Sequence, residues 1–249
     1  MNICVFGDGI MGNIVRQMLL EGEDCVVEPA AAASEQGAAN DGAAGKVMEP
    51  AAAKPEGMID FSYPGNIDYI YEYAYGQYEM GNPIPAVIAT TGYSEEQTAV
   101  IRKIAEFSPV MLSANYSFGM NCMIKLVEKV LTIAGKDADI EIIEKHHNRK
   151  VDVPSGTALN LAKLTGRSVL CGRSANGKRG KEVCVHSVRG GNIFGEHSVI
   201  LAIDDEIIEI KHTAYSRRIF ARGAVQAAHW LKGKPAGIYN PLDCISGLC

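Results

Sequence analysis

The sequence has no uncharged apolar run that approaches the roughly 18 to 20 residues a membrane-spanning helix needs, which excludes a helical membrane protein. It has no excess of positive charge either. The 24 Lys and Arg residues stand against 29 Asp and Glu, a formal charge of −5, so it offers no general basic face to nucleic acid or to an anionic membrane. Any anionic ligand must be attracted locally. There is no C-x-x-C pair: the seven cysteines (Cys4, Cys25, Cys122, Cys171, Cys184, Cys244, Cys249) are odd in number and scattered. Neither a disulfide framework nor a zinc knuckle is indicated, and a reducing cytosol fits best. No basic segment and cleavage site precede the first apolar run, and no internal repeat is visible, so a soluble, unprocessed cytoplasmic protein is expected.

What is present is an alternation. With 249 residues, 47% of them hydrophobic, the chain can bury one substantial core or two modest ones. NICVF at residues 2–6 reads as a short strand, followed by a glycine turn and by Ile10, Ile14, Met18 and Leu19 at helical spacing. Further strands are predicted at 25–28, 58–61, 86–89 and 110–112, with helices at 67–80 and 95–106 between them. This is the pattern of a Rossmann-type, doubly wound parallel sheet. Residues 29–55, rich in alanine and glycine, read as a surface connection with at most one short helix. After Asn115 the character changes. A helix at 120–133 leads to the alternating strand ADIEIIEKHH, a helix at 155–165 and strands at 182–188, 197–203 and 207–213, which suggests a second α+β domain on a mixed sheet. A final helix at 216–231 could return to the first domain. The expected division is 1–114 with 216–249 as the dinucleotide-binding domain and 115–215 as the second.

Four segments carry chemistry. GDGIMG (Gly7, Asp8, Gly9, Ile10, Met11, Gly12) has G-x-G-x-x-G spacing at the first strand-to-helix turn. There Gly9 would admit a pyrophosphate to the backbone and the helix start would offer free N–H groups. IATTGY, with Ala89, Thr90 and Thr91, and LSANYS, with Ser113, Ala114, Asn115 and Tyr116, fall where parallel strands end and should face the same crevice. Glu28, at the end of the second strand, could accept a ribose hydroxyl. EKHHNRKVDVPSGTAL, residues 144–159, concentrates cationic and titratable nitrogen groups in an acidic chain directly before a helix start. Ser155 is a good N-cap, which would leave the N–H groups of Gly156, Thr157 and Ala158 pointing outward as a carboxylate cradle. A nucleic-acid contact is the weaker reading because stacking aromatics are lacking nearby. A metal held by His146, His147, Glu144 and Asp152 is weaker too, since adjacent residues of an extended chain point to opposite sides and no H-x-x-x-H spacing occurs. His186, His197, His212 and His229, in predicted strands or a helix, read as structural.

Taken together, the glycine loop, ATTG, SANYS, E-x-H-H-x-x-K-x-D-x-P-S-G-T-A, the RGGNIFGEH turn and SRRIFARGA resemble the dihydrodipicolinate (4-hydroxy-tetrahydrodipicolinate) reductases of bacterial lysine and diaminopimelate synthesis. The resemblance covers nearly the whole chain, in the family's order. It implies NAD(P)H-dependent reduction of a cyclic dicarboxylate without a metal. His146 would be the general acid or proton shuttle and Lys150 the cationic proton donor. His147 would contact substrate, and Ser155, Gly156 and Thr157 would lie at its carboxylate. It further implies a homotetramer assembled through the second-domain sheet. The chain departs from the family at Ile10, where a basic residue is common, at Ala89 in place of glycine, and in the alanine run after the second strand. Arg16, more than a helical turn from Gly9, is not expected to reach the ribose. NADH is therefore expected to serve at least as well as NADPH. The competing readings are another two-domain oxidoreductase of amino or keto acids, and a catalytically silent dinucleotide sensor.

Overall fold

The computed structural model describes residues 1–28, 54–173 and 178–246, and the chain divides into two compact units, Met1–Phe118 with Arg218–Cys249, and Gly119–Arg217. In the first unit, β1 (Asn2–Phe6), β2 (Cys25–Val27), β3 (Gly57–Asp60), β4 (Ala86–Ile88), β5 (Pro109–Leu112) and the late strand β11 (Gly237–Tyr239) form one sheet. Its order is β11-β5-β4-β3-β1-β2, and every pairing is parallel. A parallel sheet must be covered on both faces, which is why its strands read as unbroken apolar runs. Ile3, Val5, Ile59, Val87 and Met111 pack on α1 (Ile10–Glu21) and α6 (Arg218–Leu231). The alternate residues Cys4, Phe6, Met58, Ala86, Ile88 and Val110 pack on α2 (Ile67–Glu79) and α3 (Glu95–Ile104). Fully buried residues such as Ile3, Ile59 and Ile101 each contribute about 1.5 to 3 kcal/mol of transfer free energy. α3 starts where the sequence dictates, at a capping box in which Ser94 and Gln97 satisfy each other's backbone N–H groups, with Glu95 and Glu96 in the first turn and Arg102 and Lys103 in the last.

The second unit is built on a mixed five-stranded sheet. Its strands are β6 (Asp139–His146), β7 (Val169–Cys171), β8 (Val183–Arg189), β9 (Gly195–Ile203) and β10 (Glu206–Ala214), in the order β10-β9-β6-β8-β7. β6 is central, parallel to β8 and antiparallel to β9. Period-two alternation places Ile140 and Ile142 on the face covered by α4 (Phe118–Ala134) and α5 (Gly156–Leu164), where they join Val127, Leu161, Val185 and Leu201. Further along that face the register sets Ser187, Glu144, His197 and His212 in one row across β8, β6, β9 and β10. The apolar face thus ends in a polar row.

The expected fold class, a doubly wound parallel sheet with a second α+β domain on a mixed sheet, is the one found. Among the described residues, β7, β11, a single 3₁₀ turn at Pro64–Asn66 and the terminal helix α7 (Pro241–Ser246) were not anticipated. The surface connection expected at 29–55 falls almost wholly on residues 29–53, outside the described residues. Among the described residues no helix is long and apolar enough to cross a membrane.

Candidate active site

The glycine loop follows β1. Gly7 adopts φ +104°, and a Cβ there would lie 2.4 Å from the Phe61 carbonyl oxygen. One at Gly12 would lie 1.9 Å from the Gly7 carbonyl oxygen, so both positions require glycine for backbone packing. Gly9 differs: nothing lies within 4 Å of where its Cβ would be, and as N-cap of α1 it supplies no side-chain cap. This is open space at a helix start without a capping side chain, the feature a pyrophosphate needs. Asp8 and Ile10 project outward, and Met11 packs toward the core.

Because all six strands run parallel, the residues after β4 (Ala89, Thr90, Thr91) and after β5 (Ser113, Ala114, Asn115, Tyr116) share the carboxyl edge of the sheet with the glycine loop. The strand order reverses between β1 and β3, where ligands of open α/β sheets bind. The Ser113–Asn115 turn is knit internally, the Ser113 Oγ donating to the Asn115 carbonyl and accepting from its N–H, both at 3.1 Å. Tyr116 turns inward. Its hydroxyl donates to the carbonyls of Met111 (2.7 Å) and Ile88 (3.0 Å), and its own carbonyl packs so closely on α6 that a Cβ at Gly223 would lie 1.7 Å from it.

Two features of this edge were not foreseen. The buried Asp60 ends β3 and accepts from the Ser62 N–H (2.9 Å) and hydroxyl (2.5 Å) and from the Tyr93 hydroxyl (2.9 Å). It thereby joins the loops that follow β3 and β4. A lone Asp at a strand end carries no periodic signal, so the sequence did not reveal it. Arg16 corrects an expectation. Its side chain spans the turn, donating to Gly7 O at 2.7 Å and Val5 O at 2.9 Å, and pairs with Glu28 Oε1 and Asp8 Oδ1, each at 3.3 Å. The guanidinium therefore reaches the end of β2, where ribose contacts belong.

In the second unit, His146 ends β6, and the chain turns through His147, Asn148 and Arg149 to Lys150. The β8–β9 turn is bonded to this loop: Gly190 N–H donates to His146 O (2.9 Å), Asn148 N–H to Gly191 O (3.2 Å), and Arg149 grips Asn192 Oδ1 (3.1 and 3.2 Å). Gly191, at φ +47°, makes that turn possible. Glu144 is fully buried. Its Oε2 lies 2.5 Å from His146 Nδ1, its Oε1 accepts from the Ser155 N–H at 3.2 Å, and Arg189 spans both oxygens at 2.8 and 2.7 Å. Burial alone would raise its pKa, but the Arg189, His146 and Ser155 donors prevail and hold it at about 2. Burial lowers the pKa of His146, against the pull of Glu144, which keeps the imidazole neutral at pH 7.

Ser155 caps α5, its Oγ accepting from the Ala158 N–H at 3.2 Å and lying 3.1 Å from His197 Nε2. The Ala158 N–H is therefore taken, and of the other two N–H groups expected to form the cradle, that of Gly156 interacts with the Asp152 carboxylate. Nothing lies within 4 Å of where a Cβ of Gly156 would be, so a ligand can approach the backbone there. Lys150 pairs with Asp152 at 2.7 Å, and that ammonium, aided by the Gly156 N–H, lowers the Asp152 carboxyl pKa. His147 Nδ1 is buried with no partner among the described residues. His197, expected to be merely structural, joins the constellation. It is buried, burial pushes its pKa down to about 4, and its ring packs on that of His146. Its 42-residue separation from Ser155 hid the contact from sequence. His186 and His229 pair with Glu141 and Asp24 respectively.

A metal at the His-His loop would need the Glu144 oxygens, which Arg189 already occupies. On the opposite sheet face the donor atoms of Glu141, Cys184 and His186 lie within 4.8 Å of one another. Arg173 and Arg179 both pair with Glu141 there, and two guanidinium groups oppose a dication.

Residues 1–116 match the family described as "Dihydrodipicolinate reductase, N-terminus" and residues 119–245 match "Dihydrodipicolinate reductase, C-terminus". The chain is 39% identical over 253 residues to the 4-hydroxy-tetrahydrodipicolinate reductase of Brachyspira hyodysenteriae, covering 99% of this chain and 100% of that one. It is 45% identical over 195 residues to the enzyme of the same name from Clostridium tetani, covering 76% and 74% respectively. A dipicolinate-bound dihydrodipicolinate reductase from Paenisporosarcina sp. TG-14 shares the fold, with TM-score 0.71 and 21% identity over 98% of this chain and 99% of that one. By both halves of its sequence, the chain belongs to the dihydrodipicolinate reductase family.

Proposed function

We propose that the chain catalyses the NAD(P)H-dependent reduction of 4-hydroxy-tetrahydrodipicolinate, with loss of water, to tetrahydrodipicolinate in lysine and diaminopimelate synthesis. The observation that carries this reading is one constellation in the second unit. Cationic and proton-carrying groups, His146 and Arg189 at the paired ends of β6 and β8 and Lys150 in the loop that follows β6, belong to the same unit as the start of α5 at Gly156 and Thr157. A cyclic dicarboxylate needs both parts, an anion cradle and a source of protons.

The first unit would hold the nucleotide, with Gly7, Gly9 and Gly12 admitting the pyrophosphate, Glu28 accepting from the ribose, and residues 89–91 and 113–115 lining the same edge. When bound, the reduced nicotinamide supplies a hydride. The accompanying proton is the protein's task. Lys150 is a charged donor, paired with the exposed Asp152 until the substrate's own carboxylate competes for it. His146 is neutral in the free protein, and a dianionic ligand nearby would favour its protonated form, so it would take up and pass on a proton. His147, with its unpartnered Nδ1, would contact the ligand directly, and Ser155 holds the cradle in shape.

The coupling of Arg16 to Glu28 supports NADH as at least as good a cofactor as NADPH, because the cation at the ribose end is already neutralised. Free cysteines among the described residues support the expected cytoplasmic setting. A homotetramer formed through the second sheet is supported by the exposed Leu170, Val188 and Ile207, which strand alternation places together on the face opposite α4 and α5. Light scattering would report its mass.

The test is an assay with freshly generated substrate and each reduced cofactor. Oxidation of the cofactor only when that substrate is present is the expected result. Binding without turnover would indicate a sensor, and turnover with amino or keto acids alone would indicate a different oxidoreductase.

A further inference from the structure

Glu144 is the most deeply buried charged group of the second unit, and the proposed chemistry does not use it directly. It lies on the central strand β6, flanked in register by Ser187 of β8 and His197 of β9. We propose that Glu144 is a positioning residue for the reduction, fixing the proton of neutral His146 on Nδ1 so that Nε2 exchanges protons, while its second oxygen anchors the start of the carboxylate cradle. This inference rests on the functional reading above.

An ionised carboxylate can only accept hydrogen bonds. At pH 7 Glu144 is ionised, so the 2.5 Å contact between its Oε2 and His146 Nδ1 requires the hydrogen on that nitrogen. The neutral imidazole then carries its lone pair on Nε2. The surroundings of Nε2 are kept open by a glycine: a Cβ at Gly195 would lie 3.2 Å from it, closer than side chains normally approach. Two residues along the same face of β9, the His197 ring packs edge to face against the imidazole. Glu144 thus relates to His146 as a carboxylate relates to the histidine of a hydrolytic triad, holding tautomer and orientation without exchanging a proton itself.

The second contact extends the role. Glu144 Oε1 accepts the Ser155 N–H, and Ser155 caps α5, so one rigid carboxylate fixes both the imidazole and the residue that opens the cradle. A buried negative charge so close to an anion site would repel the substrate if it stood alone. Arg189 neutralises it in bidentate geometry and is itself tied to the Asp152 carbonyl at 2.7 Å. The arrangement supplies acceptors for the imidazole and the helix start without net charge.

The test uses the full-length protein. Nitrogen-15 NMR of imidazole-labelled wild type, without substrate, should show His146 as the Nδ1–H tautomer. Glu144→Gln, whose amide can donate to Nδ1 and so favour Nε2–H, should lower kcat by about a hundredfold or more. The Kd for NADH should stay within about threefold of wild type, and pyridine-2,6-dicarboxylate should still bind. An Nε2–H tautomer in the wild type, or a folded Glu144→Gln protein with near wild-type kcat, would overturn the inference. If the variant does not fold, the wild-type tautomer decides. Should the wild type prove inactive on the substrate, the functional reading falls, and the tautomer, read without substrate, still judges what Glu144 does to His146.

Discussion

The imidazole rings of His146 and His197 meet edge to face, 5.1 Å between centroids with their planes at 74°. Both cannot readily be charged at that distance, and burial decides which loses first: His197, with a pKa near 4, stays neutral well into acid. A histidine whose folded pKa lies below its unfolded value of 6.5 binds fewer protons folded than unfolded between those values. Folding stability therefore falls as pH drops through that window, by as much as about 3 kcal/mol for this one group. Glu144 adds a second loss at lower pH, between 4.5 and about 2, because its stabilising ionised form is protonated there. Urea titrations from pH 7 to pH 4 should show the first loss, and His197→Phe should flatten it. An unchanged pH slope in that variant would mean that His197 does not titrate as its burial dictates.

His146→Ala and Lys150→Ala are each expected to lower turnover by about a hundredfold or more, since each removes a proton-carrying or charge-stabilising group that acts in the transition state. Folding should survive both, because neither side chain belongs to an apolar core cluster. Circular dichroism checks the fold and steady-state kinetics the loss. A folded variant with near wild-type turnover would remove that residue from the chemistry.

The cradle can be tested by filling it. Gly156→Ala adds a methyl where nothing lies within 4 Å, so the fold should be unharmed or gain about 0.5 to 1 kcal/mol from the better helix former. The substrate KM should rise. Thr157→Val should likewise raise KM more than it lowers kcat, as loss of a ground-state contact does. Pyridine-2,6-dicarboxylate, a flat mimic of the substrate, should compete with it in the wild type. Non-competitive inhibition would place the anion site elsewhere.

The fold was legible where periodicity was strong. Runs such as NICVF and the alternation of DIEIIE announce buried and half-buried strands because each side chain's burial follows from the pleat. β7 and β11 escaped notice because VLC and GIY, three residues each, show no period and lie outside the strand and helix alternation that identified β2 and β4 at the same length. The candidate site was legible as motifs but not as a network. EKHHNRK identified the charged loop, yet which groups satisfy Glu144 depends on Arg189 and His197, on strands that only the register brings alongside β6. Arg16 was misjudged for a related reason: helical rise measures backbone separation, whereas a guanidinium on a long side chain bridges a full turn to the Gly7 carbonyl.

Arg16 also frames the last prediction, on cofactor choice. NADPH differs from NADH by a 2′-phosphate, which is favoured by a free cation near the ribose. Arg16 is the cation among the described residues that reaches the end of β2, but its donors are committed to Val5 O, Gly7 O, Asp8 and Glu28. A 2′-phosphate would have to displace the Glu28 carboxylate and meet its repulsion, whereas a ribose hydroxyl can donate to Glu28 and leave the pair intact. NADH should accordingly be used at least as well as NADPH when kcat/KM is compared at low salt. Glu28→Ala removes both the acceptor and the competitor, so it should weaken NADH and strengthen NADPH, moving their ratio by about tenfold or more toward NADPH. Arg16→Leu should weaken both together, because it strips donors from the carbonyls that shape the glycine loop. Binding titrations that follow nicotinamide fluorescence separate these effects from turnover. A wild-type preference for NADPH of tenfold or more would show that a cation other than the committed Arg16 meets the phosphate.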